Sequence, residues 1–160
     1  MDDKDIFYFL ALQCTNGIGA VSARKLIDHC GGPRQVFEET PHVLKKIKGL
    51  GSRFAGRIKK SQSFKNAEFE MTFIQDNGIE AISYYDEAYP QRLKQCSDAP
   101  LVLFKKGKID CKNRRIISIV GTRLMTSYGK QFLHQFVKDL KKYDPVIVSG
   151  LAYGVDFCSH

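Results

Sequence analysis

The sequence predicts an α/β protein in two parts: a small all-helical domain over residues 1–78 and a parallel-sheet domain over residues 79–160. Three observations predict it. Up to about residue 76, apolar residues recur at helical spacing between Gly and Pro punctuation. After Gly78 the pattern changes to short apolar runs rich in β-branched residues. Finally, Ile116–Val120, an amphipathic stretch, and Val146–Val148 form one βαβ unit with a small-residue loop after each strand.

Each element has a local cause. Ile6–Gln13 is apolar and reads as a helix, and Val21–Cys30 as a second, closed by Gly31 and Gly32. Pro33 suits a first helical turn and starts a short helix to about Glu39; Pro41 starts another over Val43–Lys48. Ser52 can cap a longer helix that reaches Gln75 and is ended by Asn77 and Gly78. Ile79–Tyr84 and Leu101–Phe104 read as strands. Tyr89 to Leu93 reads as a short helical turn, and Lys105–Lys108 as a basic turn. In the βαβ unit, Tyr128, Phe132, Leu133, Phe136, Val137 and Leu140 share one helical face with the spacing of a buried stripe. Asp144 and Pro145 then turn the chain into the second strand.

Charge narrows the partners. The formal net charge is +8, from 25 Lys and Arg against 17 Asp and Glu, with a pI of about 9.3. It is uneven: residues 81–160 hold 13 basic and 7 acidic side chains, residues 1–80 hold 12 and 10. A polyanion is the natural partner of such a chain, although a merely basic surface has the same composition. Five scattered cysteines form no CxxC pair and no histidine stands at metal-ligand spacing, so buried free thiols in a reducing cytoplasm are expected. No signal peptide, membrane span or metal site is expected.

Two places could hold DNA. In the helical half, Gly17-Ile18-Gly19 and Gly49-Leu50-Gly51 have the Gly-hydrophobic-Gly form of a helix-hairpin-helix turn. The glycines permit positive φ and close approach, the middle residue plugs the interhelical core, and the next helix offers amides to a phosphate. The second is the stronger candidate, with seven basic and no acidic residues between Lys45 and Lys60; Arg53, Arg57 and Lys60 share a helical face. Glycine-containing helix connections are also common as plain structure.

In the basic half, Gly121, Thr122 and Arg123, the segment Thr126–Gly129 with Ser127, and the loop Ser149–Gly154 with Gly150 fall at carboxyl ends of strands. Open α/β sheets bind ligands there. Arg123 provides a planar cation, Thr122 and Ser127 hydroxyls, and Gly121, Gly129 and Gly150 amides for phosphate oxygens. A solvated basic loop is the bland alternative. A Rossmann-type nucleotide or nucleoside-phosphate enzyme is the chemical rival, but it would want GxGxxG and a strand-end acid, and here Gly121 stands alone and the second strand runs into Ser149. Asp156 and His160, four apart, invite an acid–base reading; an orienting role for Asp156 on the Ser149–Gly154 loop fits better. No catalytic residue and no cofactor is expected.

These motifs, in order, resemble the DNA-processing protein A family (DprA, also called Smf). The resemblance rests on Tyr89-Pro90 with Leu93, Asp98 with Pro100, Leu103-Phe104 and Gly107. It continues with Ile117 to Arg123, Thr126 with Tyr128-Gly129, and Val148 to Ala152 with Gly154-Val155-Asp156 and His160. Ser159 stands where the family commonly has alanine. The first half is similar, more loosely, to the family's helix-hairpin-helix or SAM-like domain. The resemblance implies an extended Rossmann-like fold that binds single-stranded DNA without catalysis, protects incoming DNA in natural transformation and helps load the RecA recombinase. Arg123, the loop Gly121–Gly129 and Ser149-Gly150 would hold phosphates, and a homodimer is implied for the full-length protein. The family's sheet continues beyond the position of His160, so the chain is expected to be a fragment or truncated product with an incomplete sheet. A structural or partner-docking helical module with a degenerate sheet is a third reading.

Overall fold

The computed structural model describes residues 3–47, 58, 61–108 and 114–160, and forms two compact units, Met1–Gly107 and Lys108–His160. The first unit contains α1 (Asp3–Gln13), α2 (Ala20–Cys30), α3 (Pro33–Glu38), α4 (Pro41–Lys45) and α5 (Ser61–Asp76). They are followed by β1 (Glu80–Ser83), α6 (Gln91–Lys94) and β2 (Val102–Lys105). Helix α1 is apolar on nearly every face because it is the centre of this unit. Leu10, Ala11 and Leu12 are fully buried, and the helix packs on α2, α3, α5 and both strands. Phe64 of α5 stacks on Phe7 at 5.6 Å between ring centroids and lies 4.9 Å from Phe37 of α3.

The glycine punctuation acts as expected where it is described. Gly31 caps α2 in the left-handed region at φ +85°. At the end of α5, Gly78 adopts φ +59°, its amide donates to the Gln75 carbonyl, and the Ile79 amide reaches back to Ile74 at 3.0 Å. That pair of bonds satisfies two of the last orphan carbonyls. Ile18 plugs the first hairpin at 6% exposure. The second hairpin, Gly49–Gly51, and with it Ser52, Arg53, Arg57 and Lys60, lies outside the described residues.

The boundary expected near residue 78 falls inside the first unit, and the reason is physical. Strands β1 and β2 pair antiparallel with each other, Glu80 opposite Lys105 and Ser83 opposite Val102, and form a sheet separate from the parallel pair. The segment between them is fastened to α2. The Arg24 guanidinium donates to the carbonyl oxygens of Ser97 and of Ala99 (2.7 Å for the latter) and lies 4.6 Å over the Tyr84 ring. The Tyr85 hydroxyl donates to Asp28 at 2.6 Å. Tyr89, 1% exposed, donates its hydroxyl to the Pro100 carbonyl at 2.8 Å.

Burial, and then the Asp28 carboxylate, push the Tyr85 phenol far above its ordinary value; burial also raises Tyr89. The folded state therefore holds these protons longer than the unfolded chain. Their contribution is complete below the ordinary phenol value of about 10 and is lost as pH rises above it. Tyr89→Phe leaves the Pro100 carbonyl without its partner and should cost about 1–3 kcal/mol in urea denaturation. The Tyr85→Phe variant should show a shallower loss of stability between pH 10 and 11 than the parent, about one unit above the phenol's ordinary value.

The second unit holds β3 (Ile116–Ser118), α7 (Ser127–Leu140), β4 (Val146–Val148) and the short α8 (Val155–Cys158). Strands β3 and β4 are parallel, Ile116 opposite Val146 and Ser118 opposite Val148, with α7 as the crossover. This is the expected α/β arrangement. A 3₁₀ turn, Lys141–Tyr143, leads to Asp144 in the left-handed region, and Arg114 holds Asp144 by both its carboxylate (2.8 Å) and its carbonyl (2.9 Å).

Two expectations need correction. The apolar stripe of α7 is not a buried one: Leu133 is buried, while Tyr128, Phe132 and Phe136 are 76%, 59% and 39% exposed. Two three-residue strands offer too little surface to cover it, and Phe132 and Phe136 stack on each other at 6.1 Å instead. The four described cysteines are free but not buried: Cys96 is exposed and Cys14, Cys30 and Cys158 are partly so. Partial burial, and then a nearby glutamate, still pushes the Cys14 and Cys30 thiols above their ordinary value, which favours the protonated form.

Candidate nucleic-acid interface

Each strand of the parallel pair ends in a loop of small residues, and one buried carboxylate joins the two loops. Asp156, in α8 and 3% exposed, accepts the Gly121 amide on Oδ1 at 3.1 Å and the Gly150 amide on Oδ2 at 3.0 Å. The close approach depends on glycine. A Cβ on Gly150 would stand 2.9 Å from that carboxylate, and one on Gly121 2.6 Å from Val155 Cγ2. Gly154 is the tightest point, at φ +91°, where a Cβ would meet the Thr122 carbonyl oxygen at 2.2 Å. The Val155 amide then donates to that Thr122 carbonyl at 3.1 Å. Leu151, at φ +51°, sits in the left-handed region that side chains rarely adopt, inside the same loop.

Amide donation to phosphate was expected at Gly121, Gly129 and Gly150, and all three amides have internal partners. Asp156 takes two of them. The Gly129 amide donates to Thr126 Oγ1 at 3.0 Å, because Thr126 is the N-cap of α7. The Thr122 hydroxyl also turns inward: it accepts the Leu124 amide at 3.1 Å and donates to the Leu124 carbonyl at 3.2 Å. Ser149 Oγ lies 2.8 Å from His160 Nε2 and accepts the Leu151 amide at 3.1 Å. The orienting role expected of Asp156 is thus the one the geometry has. The sequence signal was an acid six residues past Gly150, beyond a run of small residues.

What faces outward is Arg123. It is exposed, and among the described residues no carboxylate pairs with it. Its backbone packs against Gly154, so the exposed guanidinium leaves a fixed turn. Ser127 and Lys130 are exposed in the first turn of α7. An open apolar cavity of about 370 Å³ lies between this loop and the helix, lined by Thr122, Leu124, Met125, Phe132 and Phe136 among others. Among the described residues no group of His, Cys, Asp and Glu could hold a metal ion. No helix among them is long and apolar enough to cross a membrane.

A parallel βαβ unit with glycine loops at its strand ends, preceded in the chain by a larger unit of helices and an antiparallel strand pair, defines the class: an α/β protein. The family described as DNA recombination-mediator protein A matches residues 80–160, and the chain belongs to it. It is 44% identical over 86 residues to DNA processing protein DprA of Bacillus subtilis, covering 53% of this chain and 29% of that protein. It is 26% identical over its whole length to Protein Smf of Synechocystis, covering 41% of that protein. The fold is similar to the X-ray structure of DNA processing protein A from Streptococcus pneumoniae, at a TM-score of 0.64 and 24% identity over 96% of this chain and 52% of that one. The chain spans less than half the length of these curated relatives.

Proposed function

We propose that this chain belongs to a single-stranded-DNA-binding protein of the DNA-processing type, and that the loop Gly121–Gly129 is its phosphate-gripping surface. Arg123 carries the reading: an exposed guanidinium, with no carboxylate partner among the described residues, on a turn whose backbone is held by the neighbouring loop. Such a group meets a phosphate without first breaking an ion pair or ordering a loop. Thr122, Ser127 and Lys130 flank it, and Ser149 with Gly150 forms the wall behind. The net charge of +8 adds a diffuse attraction for a polyanion.

The reading includes no catalysis and no cofactor, a cytoplasmic setting, a homodimer for the full-length protein and a RecA-type recombinase as partner. The descriptions DNA recombination-mediator protein A and DNA processing protein DprA support the DNA and recombination part of this reading. Arg53, Arg57 and Lys60 of the second glycine hairpin remain a proposed secondary contact. A Rossmann-type nucleotide enzyme is disfavoured by the internal engagement of the Gly121 and Gly150 amides.

A titration of the chain with a single-stranded oligonucleotide, its duplex and ATP at two salt concentrations tests the reading. Affinity for the single strand should exceed that for ATP and fall steeply with salt, because each phosphate contact releases counterions. Arg123→Ala should weaken binding of any sequence and lower the salt slope by about 1. It should leave stability nearly unchanged, since an exposed loop arginine contributes little. The Arg53→Ala/Arg57→Ala pair should cost less affinity. Tight ATP binding without DNA binding would overturn the assignment.

A further inference from the structure

We propose that Asp156 is a resident anion: its carboxylate fills the cradle that the two strand-end loops would otherwise offer to a nucleotide phosphate, and so sets the specificity of the site. The inference deepens the DNA reading only in explaining what the site refuses; the cradle and its occupant stand on their own geometry.

The two donors come from different strands. The Gly121 amide follows β3 and the Gly150 amide follows β4, and they meet separate oxygens of one carboxylate at 3.1 and 3.0 Å. Charge-assisted bonds from backbone amides are how α/β proteins hold phosphate at strand ends. Here the acceptor is supplied by the chain itself and is 3% exposed. A second anion at the same amides would face a buried carboxylate of like charge, and each amide has one proton to give. The loops are tailored to this occupant: a side chain at Gly150 would stand 2.9 Å from Oδ2, and one at Gly121 would strike Val155, the neighbour of Asp156.

The consequence is a division of labour. Amides that would grip a small phosphate ligand are already bonded to Asp156. Arg123, whose backbone packs on Gly154 in the same assembly, is left exposed. A lone surface guanidinium holds a mononucleotide weakly, whereas a strand carries many phosphates to neighbouring cations as well. Asp156 is thus a positioning residue that also excludes the competing ligand class.

The test is chemical rescue of Asp156→Gly, with Asp156→Asn beside it, in chloride, acetate and inorganic phosphate at matched ionic strength. The readouts are the thermal midpoint and the ¹H–¹⁵N resonances of Gly121 and Gly150. In the parent, both amide protons should lie downfield and exchange slowly, and neither acetate nor phosphate should move them relative to chloride. In Asp156→Gly both resonances should move upfield, and acetate or phosphate should return them and raise the midpoint where chloride does not. If Asp156→Gly does not fold in any of the three salts, Asp156→Asn decides. It keeps one acceptor oxygen and presents an N–H₂ to the other glycine amide, so one resonance should shift and respond to anions. Anion-independent behaviour of the folded variant, or phosphate shifts of Gly121 and Gly150 in the parent, would overturn the proposal. Single-stranded DNA affinity of the parent is measured separately, so loss of the DNA reading and loss of this one are distinguishable.

Discussion

Gly154→Ala should destabilise the second unit by about 2–5 kcal/mol, from positive-φ strain together with forced repacking. Gly154 sits at φ +91° and ψ −130°, a region that side-chain-bearing residues reach only at a cost. The added methyl would also lie 2.2 Å from the Thr122 carbonyl oxygen and 2.7 Å from the Arg123 backbone. These atoms cannot step aside cheaply. Thr122 accepts the Val155 amide, and Gly121, one residue before it, is held by Asp156. Relief therefore requires separating the two loops. Urea denaturation followed by far-ultraviolet circular dichroism should show an earlier transition, and single-stranded DNA affinity should fall with it because Arg123 loses its fixed base. A Gly154→Ala protein with parental stability would mean that the two loops are not in contact as described.

Leu10→Ala should cost the first unit about 2–5 kcal/mol, the range for truncating a fully buried leucine. Leu10 is 1% exposed on α1, the helix that touches three other helices and both strands of the hairpin. Because the surrounding elements meet on this helix, the vacated volume has little freedom to collapse, which places the expected cost toward the upper end. The control is Phe69→Ala on α5, 71% exposed, which should change the urea midpoint little. Equal effects of the two substitutions would show that α1 is not the centre of the core.

The first unit was legible in the sequence where the backbone itself enforces an outcome. Gly31 and Gly78 end helices because the left-handed cap needs no Cβ, and Pro33 and Pro41 start them because their φ is already helical and their missing amide is not needed. The βαβ unit was legible for the same kind of reason: β-branched runs, a helical repeat and a turn at Asp144-Pro145 each act locally. So was the orienting role of Asp156, an acid placed just past a run of small residues.

Ownership and pairing were not legible. Ile79–Tyr84 and Leu101–Phe104 read as strands, but contacts such as Arg24 with Ala99 and Asp28 with Tyr85 are what tie them to the helices; these span 75 and 57 residues in sequence and leave no local mark. Helical periodicity marked Phe132 and Phe136 as a stripe without saying whether a partner surface exists for it. Glycine at positions 121, 129 and 150 suggested free amides, but whether an amide is free depends on what packs above it. By itself, the sequence determined the element order, the basic character and the strand-end position of Arg123, since these follow from side-chain chemistry and local backbone preference. The tertiary structure alone decided that the Gly121 and Gly150 amides face Asp156 and that the Arg123 side chain is left exposed. Hydrogen-bond partners are set by distance in space, and the carboxylate that reaches these amides stands on α8, a separate element that follows both loops in the chain.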